Sequence, residues 1–529
     1  MLVSFLVAVA LTAAAAIGLG VTRPRPPSPS QPPSQPPRGE ISVAYPHVPL
    51  TLNPYTFEGE TIATHDLLRP VLPTLLRIGP DLRYGPSLAL RVPAGRDVGG
   101  TPFSVTYHLD PRAMWSDGRP VTADDVRFTW QAILDPRPGT TPVADRSAYR
   151  HVTDVVAVDP HTVRLVFDGF YVWWPDLFSA GDFVLPRHDL EGKDLGAELR
   201  DHIRVGAGPF TIESWTPGLE IVYAANPRWW GSGPRYRRVH VLFVPSTEMA
   251  IQLLGQGTVQ ALATTTEPNL TGRLREIPQV RISSRYGSAW WELLFQHERP
   301  AMRNLPFRQA VATALDRRGM AEAFAREDGR ALESLAPGWA PGPSKAFESV
   351  DLDRPRSQSL LAGLGSRPGP LALAGPSNSD LAELLQRAVQ AGLQQVGVTA
   401  EIGDPDEDVL YGRWLQQGRF DLAVVERRGS PMGALAEEYR STLHPPTGLN
   451  YSRLSSPAVD EALAAADSVK EVDAALADVV MRRLAAALPA VPLVEVKAFI
   501  AYRPGLGGVA ASATIDGPFW NLPQWSPDS

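Results

Sequence analysis

The sequence contains no cysteine at any of its 529 positions. This absence excludes disulfide bonds, thiolate metal sites, a cysteine nucleophile and a lipid-modified N-terminal cysteine. Exported proteins without cysteine exist, so the absence leaves the cellular compartment open.

Signals for nucleic-acid, metal and nucleotide binding are also missing. Only four of the 50 basic residues are lysine, the basic residues are scattered, and the net charge is −7, which argues against a nucleic-acid-binding surface. The ten histidines form no HExxH motif, and no G-x-S-x-G elbow or Walker loop occurs. "GLGGVA" (Gly505–Ala510) fits a dinucleotide pattern, but no helix is predicted after it. We therefore predict no cofactor, no metal site and no catalytic residues.

Length and composition favour a multidomain globular protein. A chain of 529 residues is too long for one hydrophobic core and is expected to divide into two or three domains. A hydrophobic fraction of 44% with 20% charged residues is typical of a soluble globular protein and not of a membrane transporter.

The N-terminus is the exception, because residues 1–21 carry no charged side chain and are about long enough to span a bilayer. Small residues at Ala13–Ala16 resemble a signal-peptide cleavage site. Arg23 and Arg25 follow the apolar stretch, however, which is the reverse of the usual signal-peptide order. The segment is either a signal with a misplaced start or a retained membrane anchor. The Pro-rich residues 22–40 that follow predict a semi-extended linker.

Acidic residues cluster in "WSDGRPVTADDVRFTW" (Trp115–Trp130), which raises the question of a catalytic set. The stretch follows an alternating strand pattern, "PFSVTYHLD" (Pro102–Asp110), and a second such pattern lies at "HTVRLVFDG" (His161–Gly169). Thr122 is a good N-cap, and Asp125 occupies the capping-box position three residues later. Asp124 and Asp125 also face the positive end of the helix dipole. We therefore predict that these carboxylates build the fold and do not catalyse a reaction.

The same stretch closely resembles the family 5 extracellular solute-binding proteins of ABC importers, which bind oligopeptides, dipeptides and nickel complexes. The resemblance continues in order from about Ile41 to Trp525. It is carried by "TLNPY" (Thr51–Tyr55), "GAGPFTIESWTPGLEIVYAANPRWWG" (Gly206–Gly231), "LPFRQAVATALDRRGMAEAF" (Leu305–Phe324), "LLQRAVQAGLQQVGVTAEI" (Leu384–Ile402) and "LNYSRLSSPAVDEALAAA" (Leu449–Ala466).

The resemblance implies an α/β fold of the periplasmic-binding-protein type, class II, in which two lobes enclose the ligand. Lobe one would combine residues 41–90, 205–285 and 505–529, with an inserted subdomain at 91–204. Lobe two would be residues 286–504, with hinges near Tyr286 and Arg503. The chain would then be a non-enzymatic receptor held outside the membrane, which captures a peptide-like solute and delivers it to the permease and ATPase subunits of an importer.

Several ligand-binding residues are implied by the same resemblance. "SAWWELLFQ" (Ser288–Gln296) resembles the strand that crosses between the lobes, and it places Trp290, Trp291 and Glu292 at the cleft. Adjacent tryptophans on a strand face opposite ways, so one of the two is expected in the core. "FEGETIAT" (Phe57–Thr64) resembles a cleft loop, which would bring Glu58 and Gly59 to the ligand unless Glu58 is a solvated loop acid. Tyr149 would cover the ligand from the subdomain.

The chain departs from its peptide-binding relatives in "GRFDLAVVERRGSPMG" (Gly418–Gly433). Those relatives carry a Gly-Trp followed by an Asp that pairs with the peptide ammonium, whereas this chain has Glu426, Arg427 and Arg428. Glu426 is a possible substitute for the missing acid. Arg427 and Arg428 offer forked donors for a carboxylate or phosphate, unless they are a surface pair. Three alternatives therefore stay open: an anionic, sugar-like or metal-chelate ligand, a cell-envelope sensor without a transport role, and a hydrolase.

Overall fold

The computed structural model describes residues 39–527, except 57, 135–147, 180, 266, 336–344, 366–367, 429–433, 446–447 and 470–471. The predicted apolar segment, 1–21, lies outside the described residues, as does almost all of the predicted linker, 22–40. Glu40, which was assigned to the linker, instead begins the first strand. In the part of the chain that the structure describes, no helix has the length and apolar character needed to cross a bilayer.

The strands are β1 (Glu40–Tyr45), β2 (Leu76–Ile78), β3 (Tyr84–Pro86), β4 (Val98–Gly99), β5 (Ser104–His108), β6 (Val152–Asp159), β7 (Thr162–Phe167), β8 (Phe210–Thr216), β9 (Glu220–Ala225), β10 (Arg238–Phe243), β11 (Ala261–Thr265), β12 (Arg281–Phe295), β13 (Gly329–Ala331), β14 (Leu371–Ala374), β15 (Ala400–Gly403), β16 (Leu422–Arg428), β17 (Ala490–Tyr502), β18 (Leu506–Gly507) and β19 (Ser526–Pro527).

The α-helices are α1 (Ile62–Leu68), α2 (Ala123–Leu134), α3 (Arg187–Leu190), α4 (Leu195–Glu198), α5 (Thr247–Gln256), α6 (Leu270–Arg275), α7 (Leu305–Thr313), α8 (Arg317–Met320), α9 (Arg354–Ala362), α10 (Asp380–Gln395), α11 (Glu407–Val409), α12 (Ala434–Tyr439), α13 (Pro457–Asp467) and α14 (Ala474–Ala487).

A single mixed sheet runs through the molecule in the order β15-β14-β16-β12-β17-β11-β1-β10-β9-β8, and β13 adds to β17. Parallel pairs join β1 to β10 and β11, and join β14 to β15 and β16. The pairs of β12 with β16 and β17 are antiparallel. Helices accompany the parallel strands in both halves of the sheet, as expected of α/β architecture.

The long strands β12 and β17 connect the two halves of the sheet. Residues 281–286 of β12 pair with residues 497–502 of β17. On its other edge, β17 pairs with β11 through residues 498–502. After a register shift between Tyr286 and Trp290, β12 still pairs with β17 and gains β16 as a neighbour on its other edge. Gly287 lies at this shift, where an added Cβ would meet the Ala513 carbonyl oxygen at 2.7 Å. We propose that the lobe boundary crosses β12 near Gly287 and β17 near Val496, earlier than the predicted Arg503.

A separate four-stranded antiparallel sheet, β4-β5-β7-β6, lies within the predicted subdomain. The two alternating sequence patterns form its strands β5 and β7, which are direct neighbours. Helix α2 packs against β6 and begins at Ala123, so Thr122 stands in the predicted capping position. Thus the strand and helix predictions for this region are confirmed.

Asp125 anchors the start of α2, as the capping pattern predicts. One carboxylate oxygen accepts the Thr122 backbone N–H at 2.8 Å and the Trp115 indole N–H at 3.3 Å. The other oxygen accepts the Arg187 backbone N–H at 2.9 Å. Asp124, by contrast, is 43% exposed and pairs with Arg127. Both acids therefore have structural contacts, and the buried one connects three separate segments.

Asp125→Ala is expected to lower the free energy of unfolding by about 3 kcal/mol, because it leaves buried N–H donors without an acceptor. Asp124→Ala removes an exposed ion pair and is expected to change the free energy of unfolding by less than about 0.5 kcal/mol. Urea denaturation followed by circular dichroism measures both values. Equal effects of the two substitutions would contradict the assigned role of Asp125.

Candidate ligand-binding cleft

Most of the predicted site residues lie on β12 and β16, next to the place where the halves of the sheet meet. The register pairs Trp290 with Arg427 and Trp291 with Glu426. Because successive side chains of a strand point to opposite faces, each tryptophan shares a face with its cross-strand partner. One face carries Trp290, Glu292 and Arg427, and the other carries Trp291, Glu426 and Arg428.

On the first face, Glu292 is completely buried, and its carboxylate accepts hydrogen bonds from three side chains. The Trp290 indole nitrogen lies 3.0 Å from one carboxylate oxygen, Arg427 Nε lies 3.1 Å from the other, and the Tyr439 hydroxyl lies 3.3 Å from both. Arg427 also lies 3.7 Å from Glu438. Burial lowers the pKa of Arg427, but Glu438 and Glu292 outweigh burial and hold that pKa above its ordinary value. The charge of Arg427 is therefore matched within the protein.

On the second face, Arg428 reaches across the sheet boundary to Asp66 in α1. Its NH1 atom lies 3.0 and 2.9 Å from the two carboxylate oxygens, and the side chains are only 4% and 1% exposed. The Tyr45 hydroxyl, at the end of β1, donates to the same carboxylate at 2.5 Å. This second arginine is therefore also paired with an acid of the protein.

Glu426 lies on the same face as Arg428 but has an unmatched side chain. The backbone N–H and carbonyl of Glu426 both bond to the Tyr411 hydroxyl at 2.8 Å. Among the described residues its carboxylate Oε1 is buried without a hydrogen-bond partner. Burial raises the pKa of Glu426 to about 7, although the nearby charges of Arg428 and His47 oppose this shift. Glu426 is thus a buried acid with a vacant acceptor.

A second contact across the boundary joins His47, after β1, to Glu407 at the start of α11. His47 Nδ1 lies 3.1 Å from Glu407 Oε2, which also accepts from Asn378 at 3.0 Å. Burial lowers the pKa of His47, but Glu407 outweighs burial and raises that pKa above its ordinary value. In the described part of the chain His47 Nε2 is buried without a partner, which leaves one polar atom on this side available.

A cavity of about 360 Å³ opens beside the His47–Glu407 contact, and residues from both halves of the sheet form its walls. Its volume lies within the range of small-ligand pockets. The walls are mainly apolar, with acids on one side: they consist of Pro46, Val48, Leu50, Thr61, Ala63, Val244, Pro245, Asn378, Asp406 and Glu407.

The remaining predicted residues have their contacts with other parts of the chain. Glu58 is 49% exposed and lies 3.4 Å from Arg200, so it is the solvated acid of the alternative interpretation. Gly59 packs against the backbone of Asn53, where an added Cβ would lie 1.8 Å from the carbonyl oxygen. The buried Tyr149 hydroxyl donates to Asp182 at 2.9 Å and accepts the Phe178 backbone N–H at 2.8 Å. These two hydrogen bonds of Tyr149 thus stay within the predicted subdomain.

Sequence reasoning missed the residues that face Glu426 and Arg428 from other elements. Asp66 carried a signal, because it is an acid within the apolar helix segment "IATHDLL". His47 and Glu407 carried none, because they are 360 positions apart and only the fold brings them together. Among the described residues, no group of three or more His, Asp or Glu side chains is placed to hold a metal ion.

Comparison with known proteins agrees with this architecture. The family model of the bacterial extracellular solute-binding proteins, family 5 Middle, matches residues 101–439. The oligopeptide-binding protein OppA of Mycobacterium tuberculosis (strain H37Rv) is 23% identical over 513 residues, which cover 90% of this chain and 83% of OppA.

Two solved structures show the same fold. The oligopeptide-binding protein AppA from Bacillus subtilis, in complex with a nonapeptide, superposes with a TM-score of 0.80 at 18% identity, covering 93% of this chain and 99% of AppA. NikZ from Campylobacter jejuni, in complex with Ni(L-His), gives 0.78 at 18% identity, covering 93% and 100%. The predicted two-lobed α/β fold is therefore confirmed. Because the family model matches more than half of the residues, this chain belongs to the family 5 bacterial extracellular solute-binding proteins.

Proposed function

We propose that this protein is the substrate-binding receptor of an ABC-type importer and that it captures peptide-like solutes between its two lobes. Membership of the solute-binding family supports a receptor, and the oligopeptide-binding proteins OppA and AppA support a peptide ligand. The lobes would close by a hinge motion about β12 and β17, and the closed form would be presented to the permease and ATPase subunits.

The vacant acceptor of Glu426 is the observation that carries the peptide proposal. A buried carboxylate without a partner is costly, so a cationic group of the ligand would stabilise it. The α-ammonium of a peptide supplies both a positive charge and hydrogen-bond donors. The indole of Trp291 shares the face of Glu426 and would lie against the first residue of the peptide. Glu426 would thus replace the acid of the peptide-binding relatives.

The roles of the other predicted residues follow from their contacts. Trp290, Glu292 and Arg427 would support the cleft from the opposite face of the strands, because their polar groups bond to one another. The cavity beside Glu407 would hold a side chain of the peptide, with apolar walls that accept varied residues. An anionic ligand is disfavoured, because Arg427 and Arg428 are both already paired with acids.

The chemistry we propose is recognition and release, without bond cleavage. Asp125 serves the start of α2, as its contacts indicate, while Asp124 and Asp117 pair with Arg127 and His188. We propose that the receptor works on the outer side of the cytoplasmic membrane. The apolar residues 1–21 and the Pro-rich residues 22–40 would serve as an export signal or as an anchor with a spacer.

Binding of pentapeptides with free N-termini, compared with their N-acetylated forms, tests the proposal by isothermal titration calorimetry. Acetylation removes the ammonium and is expected to weaken binding about tenfold or more, since charged hydrogen bonds contribute roughly 1.5–3 kcal/mol. Glu426→Gln is expected to weaken binding of the free peptides similarly and to leave the acetylated peptides unchanged.

Glu401→Gln is the matched control, because it removes an exposed carboxylate on β15 and is expected to leave every affinity unchanged. Equal binding of free and acetylated peptides would reject the ammonium contact. Failure of every peptide to bind would reject the peptide proposal itself.

Binding is also expected to weaken as the pH falls below about 7. The pKa of Glu426 is raised to about 7, so acid protonates it and removes the negative charge that attracts the ammonium. Linkage then predicts that affinity falls up to about tenfold per pH unit below this value. Protonation of His47 weakens binding in the same pH range, because it places a positive charge near the ammonium. The other charged groups that face Glu426 are Asp66, Glu407 and Arg428.

Affinity for the free peptides, measured by calorimetry between pH 5 and 8, checks this dependence. In Glu426→Gln the part of the slope that arises from Glu426 is expected to disappear. An unchanged slope in this variant would assign the pH dependence to His47 or to another group.

A further inference from the structure

The ion pair between Asp66 and Arg428 joins parts of the protein that lie on either side of the proposed lobe boundary. Asp66 lies in α1, beside the β1 half of the sheet, and Arg428 ends β16 in the other half. The two residues are 362 positions apart in sequence. Both side chains are almost completely buried, at 1% and 4% exposure. Separation of the lobes would therefore break this contact.

The surroundings of Asp66 hold its carboxylate in one position. The Tyr45 hydroxyl donates to Oδ2 at 2.5 Å. Gly517 approaches so closely that an added Cβ would lie 1.8 Å from Oδ1, and its φ of +62° is also unfavourable for other residues. Arg428 NH1 contacts both oxygens. The carboxylate is thus built to receive a cation at a fixed place.

Burial makes the two charges dependent on each other. In an open form both side chains would be hydrated, so neither would need the other. In the closed form a single remaining charge would be buried without an opposite charge, and such a change is strongly destabilising. Replacing both charges by neutral groups of similar size removes this penalty. The free energy of closing is therefore expected to be unfavourable when only one of the two charges is present, and more favourable when both are present or both are removed.

We propose that Asp66 and Arg428 are a positioning pair for lobe closure, so that the lobes close fully only when both charges meet. This inference rests on the proposed hinged receptor and identifies the residues that set its closing equilibrium. The pair also keeps Arg428 engaged with Asp66. Glu426, two residues earlier on the same face of β16, is then left for the solute.

Small-angle scattering of the protein without added peptide tests the pair directly. Asp66→Asn and Arg428→Met are each expected to increase the radius of gyration, because each leaves one charge that resists burial. The double variant, Asp66→Asn with Arg428→Met, is expected to return to the wild-type value. Arg482→Met is the matched control, since it breaks an exposed pair with Asp478 and is expected to change nothing.

Thermal melting of each variant shows whether the effect is on closure or on folding. Asn at position 66 can still accept the Tyr45 hydroxyl, so the single variants are expected to melt within a few degrees of the wild type. Arg428→Lys keeps the positive charge, so its radius of gyration is expected to be close to that of the wild type and smaller than that of Arg428→Met. A melting change without a change in radius would identify a purely structural pair and overturn the proposal.

Affinity for free-amine pentapeptides gives a second readout. The affinity of Asp66→Asn and of Arg428→Met is expected to be at least about a hundredfold lower than that of the wild type. The affinity of the double variant is expected to lie within about tenfold of the wild-type value. Single variants that remain as compact as the wild type, or a double variant as expanded as the singles, would overturn the proposal. The scattering measurement needs no solute, so failure of peptide binding alone would reject the proposed ligand and not the pair.

Discussion

Charges enclosed between two lobes are subject to one dominant constraint: each must meet an opposite charge, because burial of an unpaired ion costs several kcal/mol. The cations of this cleft obey it. Arg427 meets Glu292, Arg428 meets Asp66, and His47 meets Glu407. Glu426 does not, because it lies among these groups with one carboxylate oxygen unpartnered in the described part of the chain. We propose that a positively charged group of the solute meets this unpartnered acid.

The strands β12 and β17 determine where this unpartnered acid lies. Both run through the proposed lobe boundary, and after the register shift that follows Tyr286 β12 gains β16 as a second neighbour while it still pairs with β17. Alternation along β12 and β16 then separates two functions. One face encloses Glu292 and Arg427 in a network that would support the proposed cleft, while the other carries Glu426 and Arg428, of which Arg428 contacts Asp66 in α1. Because the same strands would bend during closure, the charges of the cleft respond directly to the hinge.

Local patterns allowed much of the fold to be predicted from the sequence, because capping and alternation act over a few residues. The start of α2 and the strands β5 and β7 agree with the prediction. The site was only partly predictable: the strand carrying Trp290 and Trp291 was found, whereas Asp66 acquires its partner only through the tertiary structure. Long-range pairs of this kind leave no periodic pattern in the sequence.

The pairing of the arginines, and not their number, explains how this scaffold would select a solute. AppA in complex with a nonapeptide and NikZ in complex with Ni(L-His) share the fold of this chain at 18% identity, so the fold alone does not determine the ligand. Two arginines at the end of β16 suggest an anion site when the sequence is considered alone. Among the described residues Arg428 Nε has no hydrogen-bond partner, but the charge of each arginine is matched by an acid. A solute anion would therefore meet the field of Glu426 and Glu407 without an unmatched positive charge to balance it. A solute cation would meet the same field as an attraction. We therefore propose that the acids that neutralise the arginines make this a site for a positively charged group, and not for the anion that the sequence alone suggests.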